Sequence, residues 1–101
     1  MGAVDLIEAA FARVKSSSGR VVGGDGLAKD EAYQDIFALN NEIGRLARGK
    51  RGAMARMKEL QACVNMITVG IKYDKAAEVR EGLAVTEESV SSLRRELADE
   101  P

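Results

Sequence analysis

The chain has 101 residues, of which 46% are hydrophobic and only 4% aromatic, and its formal net charge is −1. This length predicts a single domain, and the near-zero charge excludes a global field that would attract nucleic acid or membranes. The chain has no histidine and one cysteine, so the commonest general base and the usual zinc ligand sets are missing. We therefore expect a protein that is not an enzyme and has no catalytic, metal or cofactor site.

The start of the chain does not resemble a targeting segment. Asp5 and Glu8 fall within the first fifteen residues, where a secretory signal has a basic start and an apolar core. No apolar run approaches the length of a membrane span. Cys63 cannot form an internal disulfide, which suits a reducing compartment. We expect a cytoplasmic protein without membrane association.

A first helix is predicted over about residues 3–16. Val4, Ile7, Phe11 and Val14 are spaced by three or four residues and form one apolar stripe. Serines follow at 16–18, and residues 17–26 (SSGRVVGGDG) contain four glycines, which is typical of a flexible linker. Asp25 is a suitable N-cap for the next helix.

A long second helix is predicted over about residues 27–69. Its apolar positions alternate in steps of four and three, the a/d pattern of a helix packed against a partner. These positions are Ala32, Ile36, Leu39, Ile43, Leu46, Ala53, Met57, Leu60, Val64, Ile67 and Ile71. Gly49 and Gly52 would mark a loop if the segment were two helices, but Leu46 and Ala53 keep the phase across them. We favour one helix, about 65 Å long at 1.5 Å per residue.

A third helix is predicted over about residues 74–98, after a turn in which Gly70 takes the left-handed conformation and Asp74 caps. Its apolar positions again alternate in steps of three and four, from Ala76 to Leu97. The predicted fold is all-α, a single domain over residues 1–101. It is an elongated, coiled-coil-like antiparallel helical hairpin with a short N-terminal helix.

The turn between the second and third helices carries a recognisable motif. Residues 73–83 read YDKAAEVREGL, and Leu60, Val64 and Ile71 precede them at apolar positions. Residues 60–83 resemble the UVR motif of bacterial excision-repair nuclease subunits and of Clp-type chaperone and adaptor proteins. The resemblance implies a small antiparallel helical hairpin used for protein–protein docking. It implies structural and docking roles for Tyr73, Ala76, Ala77, Val79, Arg80 and Leu83. Gly82 departs from the motif, which usually has a polar residue there.

A basic run lies in the middle of the chain, with no acidic residue between Ile43 and Lys58. It comprises Arg45, Arg48, Lys50, Arg51, Arg56 and Lys58. Such a run is able to contact phosphates or an acidic partner. The alternative is that it faces acidic residues of the third helix, with Arg56 close to Glu87 and Glu88.

Taken together, the patterns favour a small non-enzymatic protein–protein interaction module, such as an adaptor, a chaperone or an assembly subunit. The third helix is too short to cover the first half of the second. We therefore expect an open stripe that docks a protein partner or a second copy of the chain. The stripe consists of Ile36, Leu39, Ile43 and Leu46. The alternative is a nucleic-acid-associated helical protein that uses the basic run Arg45–Lys58.

Overall fold

The computed structural model describes residues 2–49 and 54–98, and the regular structure within these ranges is helical. Four α-helices follow one another: α1 (Ala3–Val22), α2 (Lys29–Gly49), α3 (Met54–Lys72) and α4 (Ala76–Ala98). The predicted all-α class is confirmed. The predictions of a short first helix and of a long second helix are both wrong.

Helix α1 runs six residues beyond the predicted end at residue 16, because its serines are accommodated within the helix. The Ser17 hydroxyl lies 3.0 Å from the carbonyl oxygen of Arg13 and 2.8 Å from a carboxylate oxygen of Asp35 on α2. Val21 and Val22 then pack, half-buried, against the core. This apolar contact favours a continuing helix, so residues 17–22 are helical rather than part of the linker predicted over 17–26.

A short turn joins α1 to α2. Gly24 has a φ of 103°, a conformation that residues with a side chain rarely adopt. The Asp25 carboxylate accepts a hydrogen bond from the Leu27 N–H (3.1 Å) at the start of a 3-10 turn, Gly26–Ala28, that leads into α2. The capping role predicted for Asp25 is confirmed.

The segment predicted as one helix over residues 27–69 is divided into α2 and α3, which lie side by side. Lys29 at the start of α2 and Asp74 just after α3 form an ion pair of 2.6 Å. In one straight helix these residues would be more than about 60 Å apart, whereas the longest extent of the molecule is 45 Å. Helix α2 ends at Gly49. Residues 50–53, which include Gly52 and Ala53, lie outside the described residues.

Asp74, rather than Gly70, closes α3. The Lys75 N–H donates to the Gly70 carbonyl (2.8 Å) and the Asp74 N–H to the Ile71 carbonyl (3.3 Å), as in a Schellman motif. Asp74 adopts the left-handed conformation with a φ of 56°. The predictions that Gly70 takes this conformation and that Asp74 caps α4 are wrong. Gly70 is instead a buried helical residue, where a Cβ atom would lie 2.8 Å from Val79 Cγ2 of α4.

Each helix contacts the next one along the chain, and α1 also contacts α4, so the four helices close into a bundle. Lys15 of α1 pairs with Glu87 of α4 (3.2 Å), and Asp5, nearer the start of α1, pairs with Arg94, nearer the end of α4. These two helices therefore run in opposite directions. The bundle closes through contacts between its first and last helices.

One apolar core fills the centre of the bundle, and every helix contributes to it. Its largest fully buried side chains include Ile7, Val14, Leu39, Ile43, Met57, Leu60, Val64, Ile67, Ile71, Val79 and Leu93. The core takes one stripe from each helix. Apolar residues outside this core are candidates for contact with a partner.

Candidate functional site

The apolar stripe of α2 that we predicted as an open docking surface lies in the core. Ile36 and Leu46 are 4% and 6% exposed, and Leu39 and Ile43 are fully buried. The prediction was wrong because it assumed a continuous second helix whose first half nothing could reach. The break after Gly49 brings α3 back alongside α2, and the longer α1 also packs against α2. These four residues are not available to a partner in this fold.

The basic run is divided between the end of α2 and the start of α3. Arg45 lies 3.4 Å from Glu42 on its own helix, and Arg56 lies 3.0 Å from Glu59 and also pairs with Glu96 on α4. Arg48 and Lys58 are exposed, while Lys50 and Arg51 lie outside the described residues. Of the four cations of the run that the structure describes, Arg45 and Arg56 contact carboxylates.

Arg56 pairs with Glu96, whereas Glu87 and Glu88 were its predicted neighbours. The turn between α3 and α4 sits at residues 73–75 rather than near 71 and 72. Moving the centre of a hairpin by two or three residues shifts the opposing residue by about five, to the neighbourhood of Ser92, and Glu96 lies about one helical turn further along α4. The general expectation that a cation of the run faces α4 carboxylates is met with a different partner.

Helix α3 is apolar on two opposite sides. Leu60, Val64, Ile67 and Ile71 point into the core. At roughly 100° per residue, a second set falls on the far side of the helix. This set, which we call the outer face of α3, consists of Ala62, Met66 and Val69, together with Tyr73 directly after the last residue of the helix. Met66, Val69 and Tyr73 are 36%, 37% and 60% exposed. Polar residues such as Gln61 and Asn65 lie between the two apolar sides, and the outward apolar side remains partly exposed.

The outer face continues into a groove between α3 and α4. Two depressions, of about 440 and 320 Å³, meet at Met66, which lines both. Besides Met66, the apolar part of this outer groove consists of Cys63, Val69 and Val85. Its charged residues are Arg56, Glu59, Glu78, Glu81 and Glu88.

Two glycines allow α3 and α4 to approach closely along the groove. A Cβ atom on Gly82 would lie 2.9 Å from Ile67 Cγ1 and 3.3 Å from Met66 Cβ. Gly70 makes the corresponding close contact with Val79. Since backbone approaches backbone at these two points, the outward side chains of α3 and α4 stand next to one another and form a single surface.

The groove does not offer activated chemistry. Burial, and to a smaller degree the charge of Glu59, raises the pKa of the Cys63 thiol, which keeps the sulfur protonated and a poor nucleophile. In the residues that the structure covers, no group of three or more Cys, Asp or Glu side chains is placed to hold a metal ion. None of the helices in the described ranges combines the length and apolar character needed to cross a membrane. What the groove presents is contact area and charge.

The comparisons with family models, with curated proteins and with solved structures found no match to this chain. Met66 and Val69 were not predicted as site residues, although the sequence contains a signal for them. Ala55, Ala62, Met66, Val69 and Tyr73 repeat with the same steps of seven, four and three as the core stripe.

Proposed function

We propose that the chain is a non-enzymatic protein–protein interaction module, acting as an adaptor, chaperone or assembly subunit. Its docking surface would be the outer face of α3 with the outer groove, and its occupant an amphipathic helix of a partner protein. The observation that carries the proposal is that α3 is apolar on both sides while the bundle covers only one.

The energetics suit a reversible contact. Met66, Val69 and Tyr73 are already partly covered, so burying what remains would contribute roughly 0.5–2 kcal/mol each. Association costs several kcal/mol in lost freedom of motion, so only a modest surplus remains. We therefore expect weak, rapidly reversible binding.

The resemblance to the UVR motif supports the same surface. Residues 60–83 span the second half of α3, the turn and the first part of α4. Met66, Val69 and Tyr73 all lie inside that range. If the resemblance reflects a shared mode of docking, the partner binds to the hairpin of α3 and α4.

Binding of designed peptides tests the proposal. Two amphipathic peptides of about 18 residues share one leucine and alanine face and carry either lysine or glutamate on the polar face. We expect fluorescence anisotropy to show that at least one binds the wild-type chain. The double change Met66→Ser with Val69→Ser should weaken that binding about tenfold or more.

Phe37→Ser is the matched control, because Phe37 is a large exposed side chain (68%) on α2, away from the groove. It should leave the affinity unchanged. The proposal is overturned if neither peptide binds, or if the Phe37 variant loses as much affinity as the double variant. Thermal unfolding by circular dichroism verifies that all variants are folded.

A further inference from the structure

The charges around the outer groove indicate which kind of partner helix the groove can bind. Glu59, Glu78, Glu81 and Glu88 line the groove together with Arg56. Arg56 is already engaged by Glu59 and Glu96. We propose that the partner helix is basic, with lysine or arginine side chains on both flanks of its apolar stripe. This inference rests on the docking function proposed above.

The acidic character is local to this surface. The whole chain has a formal net charge of only −1. The acidic character of the groove therefore does not come from an acidic protein as a whole. On the opposite side of α4, Glu87 pairs with Lys15 (3.2 Å), and Arg94 pairs with Asp5 and Glu8 of α1. On that side, the ion pairs join α4 to the neighbouring helix α1.

The groove side of α4 differs from the side that faces α1. Glu78 lies 3.5 Å from Lys75, the residue just before its helix. Among the described residues, no Lys or Arg nitrogen lies within ion-pair distance of Glu81 or Glu88. The side chains opposite them on α3 are Cys63 and Met66. An occupant that lays apolar residues over Met66 therefore brings its flanks next to Glu81 and Glu88, to which the described part of the chain supplies no ion-pair cation.

The length of the groove sets the size of the occupant. From Arg56 to Val69 along α3 is roughly 20 Å at 1.5 Å per residue. A helix of about four turns covers this distance. Glu78, Glu81 and Glu88 follow one edge of it, so cations spaced one to two turns apart on the partner would meet them in sequence.

The peptide pair introduced above also tests the charge preference. At about 0.15 M salt we expect the lysine-faced peptide to bind about tenfold tighter than the glutamate-faced peptide. The difference should shrink at about 0.5 M salt, where exposed charges are screened. The triple change Glu78→Gln, Glu81→Gln and Glu88→Gln should remove most of the preference.

The matched control is the triple change Asp30→Asn, Glu31→Gln and Glu87→Gln, which alters the net charge by the same amount away from the groove. It should leave the preference within about twofold. Equal loss in both triples would show that net charge alone attracts the peptide, and this overturns the proposal.

The other outcomes separate this inference from the function beneath it. If neither peptide binds, the docking function and the basic partner both fail. If both peptides bind equally, or the glutamate-faced peptide binds better, the docking function stands and the basic partner is wrong. Sedimentation velocity detects a dimer of the chain. If a dimer forms and the double change Met66→Ser with Val69→Ser dissociates it, the occupant is a second copy of the chain, and the basic partner is overturned.

Discussion

The glycines of this chain have opposite roles that depend on what lies beside each one. A Cβ atom at Gly70 would be 2.9 Å from the backbone nitrogen of Val79, which cannot move without shifting α4. At Gly19, in the exposed part of α1, a Cβ atom would meet nothing within 4 Å. The same substitution should therefore have opposite effects at the two positions.

We expect Gly70→Ala to lower the free energy of unfolding by about 1–3 kcal/mol, because it forces two packed helices apart. Gly19→Ala should raise it by about 0.4–1 kcal/mol, because alanine restricts the unfolded chain and suits a helix. Urea unfolding followed by circular dichroism measures both. A stabilised Gly70 variant would contradict the close approach of α3 and α4.

Single charged residues join α1 to α4, and their titration is measurable. The hydrogen bond from Arg94, followed by that from the Gly2 N–H, lowers the pKa of Asp5 below its ordinary value. The stability that this carboxylate contributes is present above about pH 4, the ordinary pKa of an unfolded aspartate. It is lost as the pH falls through the lower pKa of the folded state.

Arg94→Gln should therefore raise the pKa of Asp5 toward its ordinary value in an NMR titration of the side-chain carboxyl carbon. Arg56→Gln is the control, since Arg56 lowers the pKa of Glu96 instead. It should raise the pKa of Glu96 and leave that of Asp5 in place. An Asp5 pKa that does not respond to the loss of Arg94 would remove this contact between the first and last helices.

At the scale of whole helices, burial and not side-chain size decides which residues of α2 matter for stability. Leu46 is 6% exposed, whereas the larger Phe37 is 68% exposed. We expect Leu46→Ala to cost about 2–5 kcal/mol of unfolding free energy, because it leaves a cavity. Phe37→Ala should change it by no more than about 0.5 kcal/mol. Thermal and urea unfolding of the two variants make the comparison, and equal losses would mean that α2 is turned differently.

The periodic stripes were enough to predict helices and the inward residues of each, such as Leu39 and Leu60. They were not enough to predict the direction of α3. A heptad phase that continues past Gly49 is produced equally by one long helix and by two helices facing one core. Gly49, where α2 ends, was the relevant signal, and it was outweighed by the phase.

The candidate site was missed for a related reason. Whether Met66 and Val69 are covered depends on which helices surround α3, and this is a property of the assembled bundle. With α3 placed in a two-helix hairpin, either side of it had room for a partner. Once four helices close around Leu60 and Val64, the apolar side with Met66 remains partly exposed.

At the scale of the whole molecule, the bundle measures 45 × 22 × 17 Å, and most helix pairs are neighbours along the chain. Helix α1 also touches α3, but its contact with α4 is more extensive, and almost the whole chain separates α1 from α4. Val90 of α4 lies with Phe11 of α1 along this seam, whereas Val79 contacts Gly70 across the short turn between α3 and α4.

The seam between α1 and α4 has a kinetic consequence. Ordering the chain between distant helices carries a larger entropy loss than closing a three-residue turn, so this seam should form after the rate-limiting barrier. We expect Val90→Ala to speed unfolding while hardly changing the folding rate, and Val79→Ala to slow folding. Stopped-flow measurements in urea distinguish the two, and a reversed pattern would place the seam in the folding nucleus. In the expected case, the first and last helices separate first when the native protein opens, while the hairpin of α3 and α4 stays paired.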